Sequence, residues 1–517
     1  MANNLLFQSL PAGAQAADAT NEAGGKAYAF ASKHALAQYA VTGCLNGTYY
    51  ASAATQLERT LELACSVDPA FAAKVAVYSR EKGFMKDMPA LLCAALSVLD
   101  ANQLKAAFPR ACDDGKIVRN FVQILRSGAV GRKSLGSVPK KLVQRWLESR
   151  TDEQLFRATV GQSPSLADVV KMVHPRPSTP TRAALYAWMI GRPHDAEALP
   201  ECVKAFEAFK RGESREVPDV PFQMLTASPL GKDAWTAIAR RASWTTTRMN
   251  LNTFARHGVF EDLEVTQLIA NRLRDPGLVR KARVFPYQLL VAHTQADAGV
   301  PEEVREALHD AMEVAIQNVP SVHGQLVVCL DVSGSMQIPV TGTRKGSTTV
   351  VTCRDVASLV AAALFRKNSN TRILPFADDV VPVHLDGRDS VMTNARRMAS
   401  LPSGGTDCSA PLRYLNAMSI RADLVVFVSD NMSWLDSHGG GRSTASMAEW
   451  AIFRRKNPNA RLACLDIQPA GSTQVQERED ILNIGGFSDS VFEILATFAQ
   501  GELTPDHWVG VIESMAL

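Results

Sequence analysis

The chain has 517 residues, too many for one ordinary domain, and 46% of them are hydrophobic against 21% charged, enough apolar side chain to fill several cores. That balance excludes global disorder, and 32 Gly with 26 Pro exclude a collagenous or low-complexity chain. The net charge of +3 neither requires nor excludes a polyanionic partner until it is divided along the chain.

The opening stretch, MANNLLFQSLPAGAQAADATNEAGG, has neither a basic leader nor a long apolar core, and a flexible segment is expected to about residue 24. From residue 32 to 319 apolar residues recur at helical spacing, in blocks of roughly 10 to 16 residues broken by Pro, Gly or Asp. LERTLELACSV, MPALLCAALSVLD, KKLVQRWLESR and DLEVTQLIANRLRD are examples. Their two-helix rhythm of about 40 residues predicts HEAT-like stacked repeats, with an irregular helical bundle as the alternative. Within this part, residues 110–150 hold ten basic residues against three acidic, and 240–283 hold nine against four.

After Pro320 the pattern changes. QLVVCL, RILPFA, LVVFVSD and RLACLDI read as buried parallel strands, and helices are expected near 350–366 and at ASMAEWAIFRRK. Such alternation predicts a doubly wound parallel sheet with its chemistry at the carboxyl ends of the strands. Residues 325–517 carry 17 basic and 20 acidic side chains against 38 and 32 in the remainder, so the helical part holds the positive charge. No apolar run reaches the roughly 18 to 20 residues of a membrane span, and a cytoplasmic protein is expected. The nine cysteines form no CxxC pair and the ten histidines no HExxH, which suits reduced thiols better than disulfides or zinc.

In VVCLDVSGSM, Asp331, Ser333 and Ser335 follow a predicted strand, and Gly334 is expected to permit the turn. Thr406 in SGGTD and Asp430 at the end of LVVFVSD lie where adjacent strand ends would bring them to the same place. Two carboxylates and three hydroxyls suit Mg²⁺ or another small divalent cation with a coordination position left for a partner. The plainer alternative is a structural turn without metal. Hydrolysis at Ser333 is the weaker functional reading, because G-x-S-x-G, D-x-D and phosphate-cradling glycine motifs are all absent. SHGGGRS at 437–443 reads as a surface crossing.

The five donor positions resemble the metal-ion-dependent adhesion site of von Willebrand factor A domains. LAQYAVTGCLNGTYYA (36–51), RSGAVGRKSLGSVPKKLVQRW (126–146), VVKMVHPRP (169–177), LGKDAW (230–235) and RVFPYQLLVA (283–292) resemble the TROVE module of the Ro autoantigen family. There the module precedes an A domain, in the same order as here. The resemblance implies a HEAT-like helical module over 25–322 and an A domain over 323–517, closed into a monomeric ring. It also implies a non-catalytic protein that binds a small noncoding Y-like RNA on its basic outer surface. The single-stranded ends of misfolded or 3′-tailed RNA would enter a central hole, for RNA quality control or for scaffolding an exoribonuclease such as polynucleotide phosphorylase. His174 falls at the family's Y-RNA-contacting histidine, with Arg132, Lys133, Lys140, Lys141, Lys171 and Arg176 as companions. The stretch RATVGQSP departs from the family pattern and offers only Arg157. Tyr49 and Tyr50 are expected to pack at a helix start, with base stacking as the alternative, and Trp235 and Trp244 to lie in the repeat core. The alternative function is a metal-dependent protein-interaction adaptor.

Overall fold

The computed structural model describes residues 16–43, 45–161, 164–225, 229–282, 284, 286–317, 319, 321–322, 324–343, 351–435, 443–486, 488–503 and 507–517. The chain forms two compact units that cut across its linear order. One gathers the residues up to 88, 285–291 and 312–516, and the other residues 89–284 and 292–311.

The second of these is helical throughout among its described residues. Helix Gly115–Ser127 shows why: Ile117, Val118, Phe121, Val122 and Leu125 fall on one buried face. The Asp114 side chain accepts from Lys116 N to start this helix, and Gly128, at φ 89°, ends it. Capping boxes of Thr151 with Gln154 and of Ser165 with Asp168 open the helices Asp152–Arg157 and Leu166–Val173. Helices Gly115–Ser127 and Ser137–Glu148 both pack on Leu166–Val173, so the repeats bury their faces against near neighbours. Trp235 and Trp244 are buried as expected, and the Trp244 indole N–H donates to Leu273 O at 3.0 Å.

The other unit contains eight strands among its described residues: β1 Ala19–Thr20, β2 Lys26–Ala29, β3 Leu326–Asp331, β4 Thr371–Phe376, β5 Leu424–Ser429, β6 Arg461–Asp466, β7 Ser472–Thr473 and β8 Ile481–Gly485. Five form a sheet of order β4-β3-β5-β6-β8, parallel throughout. β3 and β5 are buried along their whole length, as unbroken apolar runs in a sheet covered on both faces must be. From β3 the chain goes to one side for β4 and returns to the other for β5, so the switch in strand order falls between the carboxyl ends of β3 and β5. β8 escapes a hydrophobic pattern because Asn483 sits in its middle; that residue is fully buried, and its amide donates to Val475 O and to Glu477.

The N-terminal residues belong to this unit. β2 pairs antiparallel with β1 and with β7, where Tyr28 faces Thr473. Helix Ser32–Thr42 is buried at every residue from His34 to Thr42, packed against β8 and against helices Ala53–Ser66 and Pro69–Glu81. A helix without a polar face has to be enclosed, and here the sheet-bearing unit encloses it. The segment expected to be flexible to residue 24 thus contains a strand, and the units do not divide at 322. Residues 1–15 and most of SHGGGRS lie outside the described residues.

Candidate functional site

Asp331 ends β3 and Asp430 follows β5, and the pairing of these strands sets the two carboxylates side by side at the switch point. Both are shut off from water. Asp331 Oδ1 accepts the Ser333 amide at 2.8 Å and Oδ2 accepts the Ser429 hydroxyl at 2.6 Å. Ser333 Oγ and Ser335 Oγ stand 3.2 Å apart. The loop bearing Thr406 is brought to this turn by Gly334 N donating to Gly404 O at 3.1 Å. Thr406 O in turn accepts from Trp434 N and Leu435 N, which fixes the loop against the chain beyond β5. Gly405 is required by close approach, since a Cβ there would lie 2.6 Å from Leu435 Cδ1. Gly334 is not: its φ is not positive, and a Cβ would meet its nearest neighbour, Gly404 O, at an ordinary 3.7 Å. Its place in the turn comes from the short helical twist of Gly334–Gln337.

The electrostatics suit a cation. Burial, then repulsion from Asp331, pushes the Asp430 carboxyl up to about 7, and burial raises Asp331 as well. Among the described residues neither carboxylate makes an ion pair with Lys or Arg. Arg354, nearby, spends its guanidinium on Ser403 Oγ at 2.8 Å and on Leu401 O. The Ser333 amide is bonded to Asp331, and the Ser333 and Ser335 hydroxyls share a hydrogen bond, so the groups beside the two carboxylates are hard oxygens of the kind a small cation takes. No cluster of three or more His, Cys, Asp or Glu occurs among the described residues, and the oxygen donors a cation could draw on here are the two carboxylates with Ser333, Ser335 and Thr406.

The motif did not reveal three of the site's neighbours. Ser429 precedes Asp430 and reads as part of the strand. Arg354 arrives on helix Cys353–Lys367. Tyr50 comes from the N-terminal segment and lies near Ser335, Asp430 and Asp331. The helix expected to begin at the tyrosine pair begins at Ala53, so Tyr49 and Tyr50 lie in the loop before it.

The basic residues belong to the helical unit. Lys140 and Lys141 lie on helix Ser137–Glu148, which buries Leu142, Val143, Trp146 and Leu147; Lys141 is exposed and Lys140 half-buried. Gln144, one turn further on, donates to Val173 O at 2.6 Å and to His174 O at 3.3 Å. This ties the lysine helix to the turn that carries Lys171, His174 and Arg176, all three exposed. His174 caps helix Leu166–Val173 with φ 50°, a left-handed conformation rare outside glycine, and the His174 N–H donates to Val170 O at 3.0 Å. Arg126, on the neighbouring helix, reaches Met172 Sδ at 3.2 Å.

Two expected companions differ in kind. Lys133 is exposed. The Arg132 guanidinium is turned inward on backbone carbonyls, donating to Ser134 O at 2.9 Å, Ser97 O at 3.1 Å and Leu135 O at 2.9 Å. Gly136, at φ 72°, leaves room for it, since a Cβ would lie 2.0 Å from Arg132 Nη2. Arg157 is held by Glu153 and Asp219.

Residues 325–499 match the family model described as the Ro60 vWA domain. Over these residues the chain is similar to Ro proteins. It is 25% identical over 532 aligned residues, 93% of this chain and 95% of the relative, to a protein of Deinococcus radiodurans named RNA-binding protein RO60. A Caenorhabditis elegans protein of the same name is 23% identical over 258 residues, 48% of this chain and 38% of that one. The crystal structure of the Deinococcus radiodurans Ro protein shares the fold with a TM-score of 0.62 at 22% identity, over 92% of this chain and all of that one. The basic turn at His174 and the loop bearing Tyr50 both lie outside the stretch matched by the A-domain model.

Proposed function

We propose that this is a non-catalytic RNA-binding protein of Ro type, and that the basic surface around His174 holds a structured small noncoding RNA of the Y class. The observation that carries this reading is that Gln144, on the helix of Lys140 and Lys141, donates to Val173 O and His174 O, which sets that helix beside the exposed turn of Lys171, His174 and Arg176. Lysines and arginines on such a surface bind phosphates by charge attraction and counterion release, and duplex RNA is read by shape and backbone. The single-stranded 3′ end of a misfolded RNA is the second ligand proposed, with little dependence on its sequence. Arg132 is left out of the contact set, because its guanidinium serves the protein's own carbonyls.

The A-domain site is proposed to take Mg²⁺ or Mn²⁺ through Asp331, Asp430, Ser333, Ser335 and Thr406. The ion would supply a position for an acidic group of a partner protein, and an exoribonuclease such as polynucleotide phosphorylase is the partner class the Ro reading carries. Ser333 is proposed as a metal ligand rather than a nucleophile, because its hydroxyl lies between Asp331 and Ser335. The deciding experiment is titration of the full chain with a hairpin RNA bearing a 3′ single-stranded tail at several salt concentrations. Binding that weakens steeply with salt is expected. Failure to bind at low salt would overturn the RNA reading.

A further inference from the structure

Beyond β4 the chain makes a tight turn that is tied to two of the donor segments. Phe376, the last residue of β4, is paired with Asp331 in the sheet, and its carbonyl accepts at 2.9 Å from the N–H of Val332, which lies between Asp331 and Ser333. The next carbonyl, of Ala377, accepts from Asp407 N at 2.9 Å, one residue past Thr406. Ala377 N then donates to Asp379 O at 3.0 Å, and Phe376 bridges to Val380, so Asp378 is the tip of the turn. It comes two residues past the level of Asp331, beyond the carboxyl edge of the sheet.

The Asp378 side chain lies along the two glycines of SGGTD. A Cβ on Gly404 would come within 2.8 Å of Asp378 Oδ1 and 3.0 Å of Oδ2, and a Cβ on Gly405 within 2.8 Å of Oδ1. Gly404 is the residue whose carbonyl accepts from Gly334 N at 3.1 Å, and Gly405 precedes Thr406. The carboxylate thus rests on the bridge that joins the two donor loops. Asp378 is exposed, and among the described residues its carboxylate makes no ion pair and no hydrogen bond. Its neighbour differs, since Asp379 Oδ1 accepts from Val380 N at 2.8 Å. Asp378 is not a third direct ligand, because no cluster of three acidic groups able to hold a metal occurs among the described residues.

An ionised carboxylate accepts hydrogen bonds and donates none. Mg²⁺ bound by one or two carboxylates keeps several of its waters, and the cation makes those waters stronger donors. A carboxylate fixed beside such a site, outside ligating range and without a partner of its own, has this water to accept from. Outer partners of this kind typically change metal affinity about 10- to 100-fold when removed. The same negative charge opposes a second carboxylate arriving from a partner protein.

We propose that Asp378 is a built-in competitor at the A-domain cation site: its carboxylate accepts from water on the cation, and so strengthens cation binding while resisting the acidic group of a partner. The proposal rests on the reading of Asp331, Ser333, Ser335, Thr406 and Asp430 as a metal site.

The test uses the full chain and two probes. Mn²⁺ alone is titrated first, followed by electron paramagnetic resonance. Acetate is then titrated into the Mn²⁺-saturated protein as the acidic group, and its binding is read as loss of metal-bound water from the relaxation of water protons. Asp378→Asn removes the charge and keeps the size of an exposed side chain. It is expected to bind Mn²⁺ about tenfold more weakly and, once loaded, to bind acetate several-fold more tightly than wild type. Asp379→Asn removes the same charge one residue away, at a carboxylate that serves its own turn, and is expected to change both affinities little. Unaltered Mn²⁺ binding by Asp378→Asn, acetate bound no more tightly, or an equal response from Asp379→Asn would each overturn the competitor while leaving the metal site standing. A wild type that binds no Mn²⁺, or an Asp331→Ala protein that binds it as well as wild type, would overturn both.

Discussion

The proposed metal site and the basic surface put charge to opposite uses. At the carboxyl edge of the sheet two carboxylates are buried together, both raised by burial and Asp430 also by Asp331, with hydroxyls set beside them on rigid strand ends. Around His174 the charges stand in water on helix ends, and only the backbone between them is fixed. A buried charge has few ways to be satisfied, so its partners are dictated atom by atom. Exposed charges act as a field, in which each member counts about equally and salt weakens all of them. One site should therefore fail abruptly on a single substitution, and the other by degrees.

The largest effect is expected from Asp331→Ala, which removes the carboxylate that anchors Ser333 and Ser429. Divalent-cation binding measured by calorimetry should be lost, while affinity for the tailed hairpin RNA stays within about twofold of wild type. An equal loss of RNA binding would show that the two sites are not separate. Next, charge reversal at Lys140, Lys141 and Lys171 together should weaken RNA binding by about 10- to 1000-fold at moderate salt. The slope of log affinity against log salt should become shallower by about one for each phosphate that is no longer neutralised. A uniform loss with no change of slope would mean that these lysines do not meet phosphate.

A smaller effect tests the distinction within the basic set. Arg132→Ala removes three bonds to carbonyls and should cost about 2 kcal/mol of stability in denaturant unfolding. Lys133→Ala, at an exposed neighbour, should cost almost nothing in stability. RNA binding that falls more for Arg132→Ala than for Lys133→Ala, in protein shown to be folded, would return Arg132 to the interface.

The smallest effect concerns Glu477, a carboxyl away from either site. Its Oε1 is enclosed without a partner while Asn483 bonds Oε2, and burial pushes its pKa up to about 8. The folded pKa lies above the unfolded one, so this group's contribution to stability is complete below about pH 4.5 and is lost as the pH rises towards 8. Glu477→Gln keeps an acceptor for Asn483 and has nothing to ionise. Its melting temperature should fall less than that of wild type between pH 6 and 9, as read by calorimetry. Parallel pH profiles would count against this origin of the slope.

Much of this was written locally. Val327, Val328 and Leu330 form an apolar strand that ends in Asp331, and two of the remaining donors follow within four residues. The spacing of Ile117, Phe121 and Leu125 shows a helix with one buried face before any neighbour is known. Local sequence determines such features because backbone periodicity and turn chemistry act over a few residues. Other features were decided only when distant segments met. Helix Ser32–Thr42 looks like another repeat helix until the sheet-bearing unit encloses it on all sides. Arg132 looks like a phosphate ligand until the 132–136 loop folds its carbonyls around the guanidinium. Tyr50 carries no signal of its own, and comes to lie near Asp430 and Asp331 because two backbone bonds between Gly47 and Thr343 hold the loop that bears it. A side chain's chemistry is set by its residue type, but its partners are set by packing, and packing belongs to the whole chain.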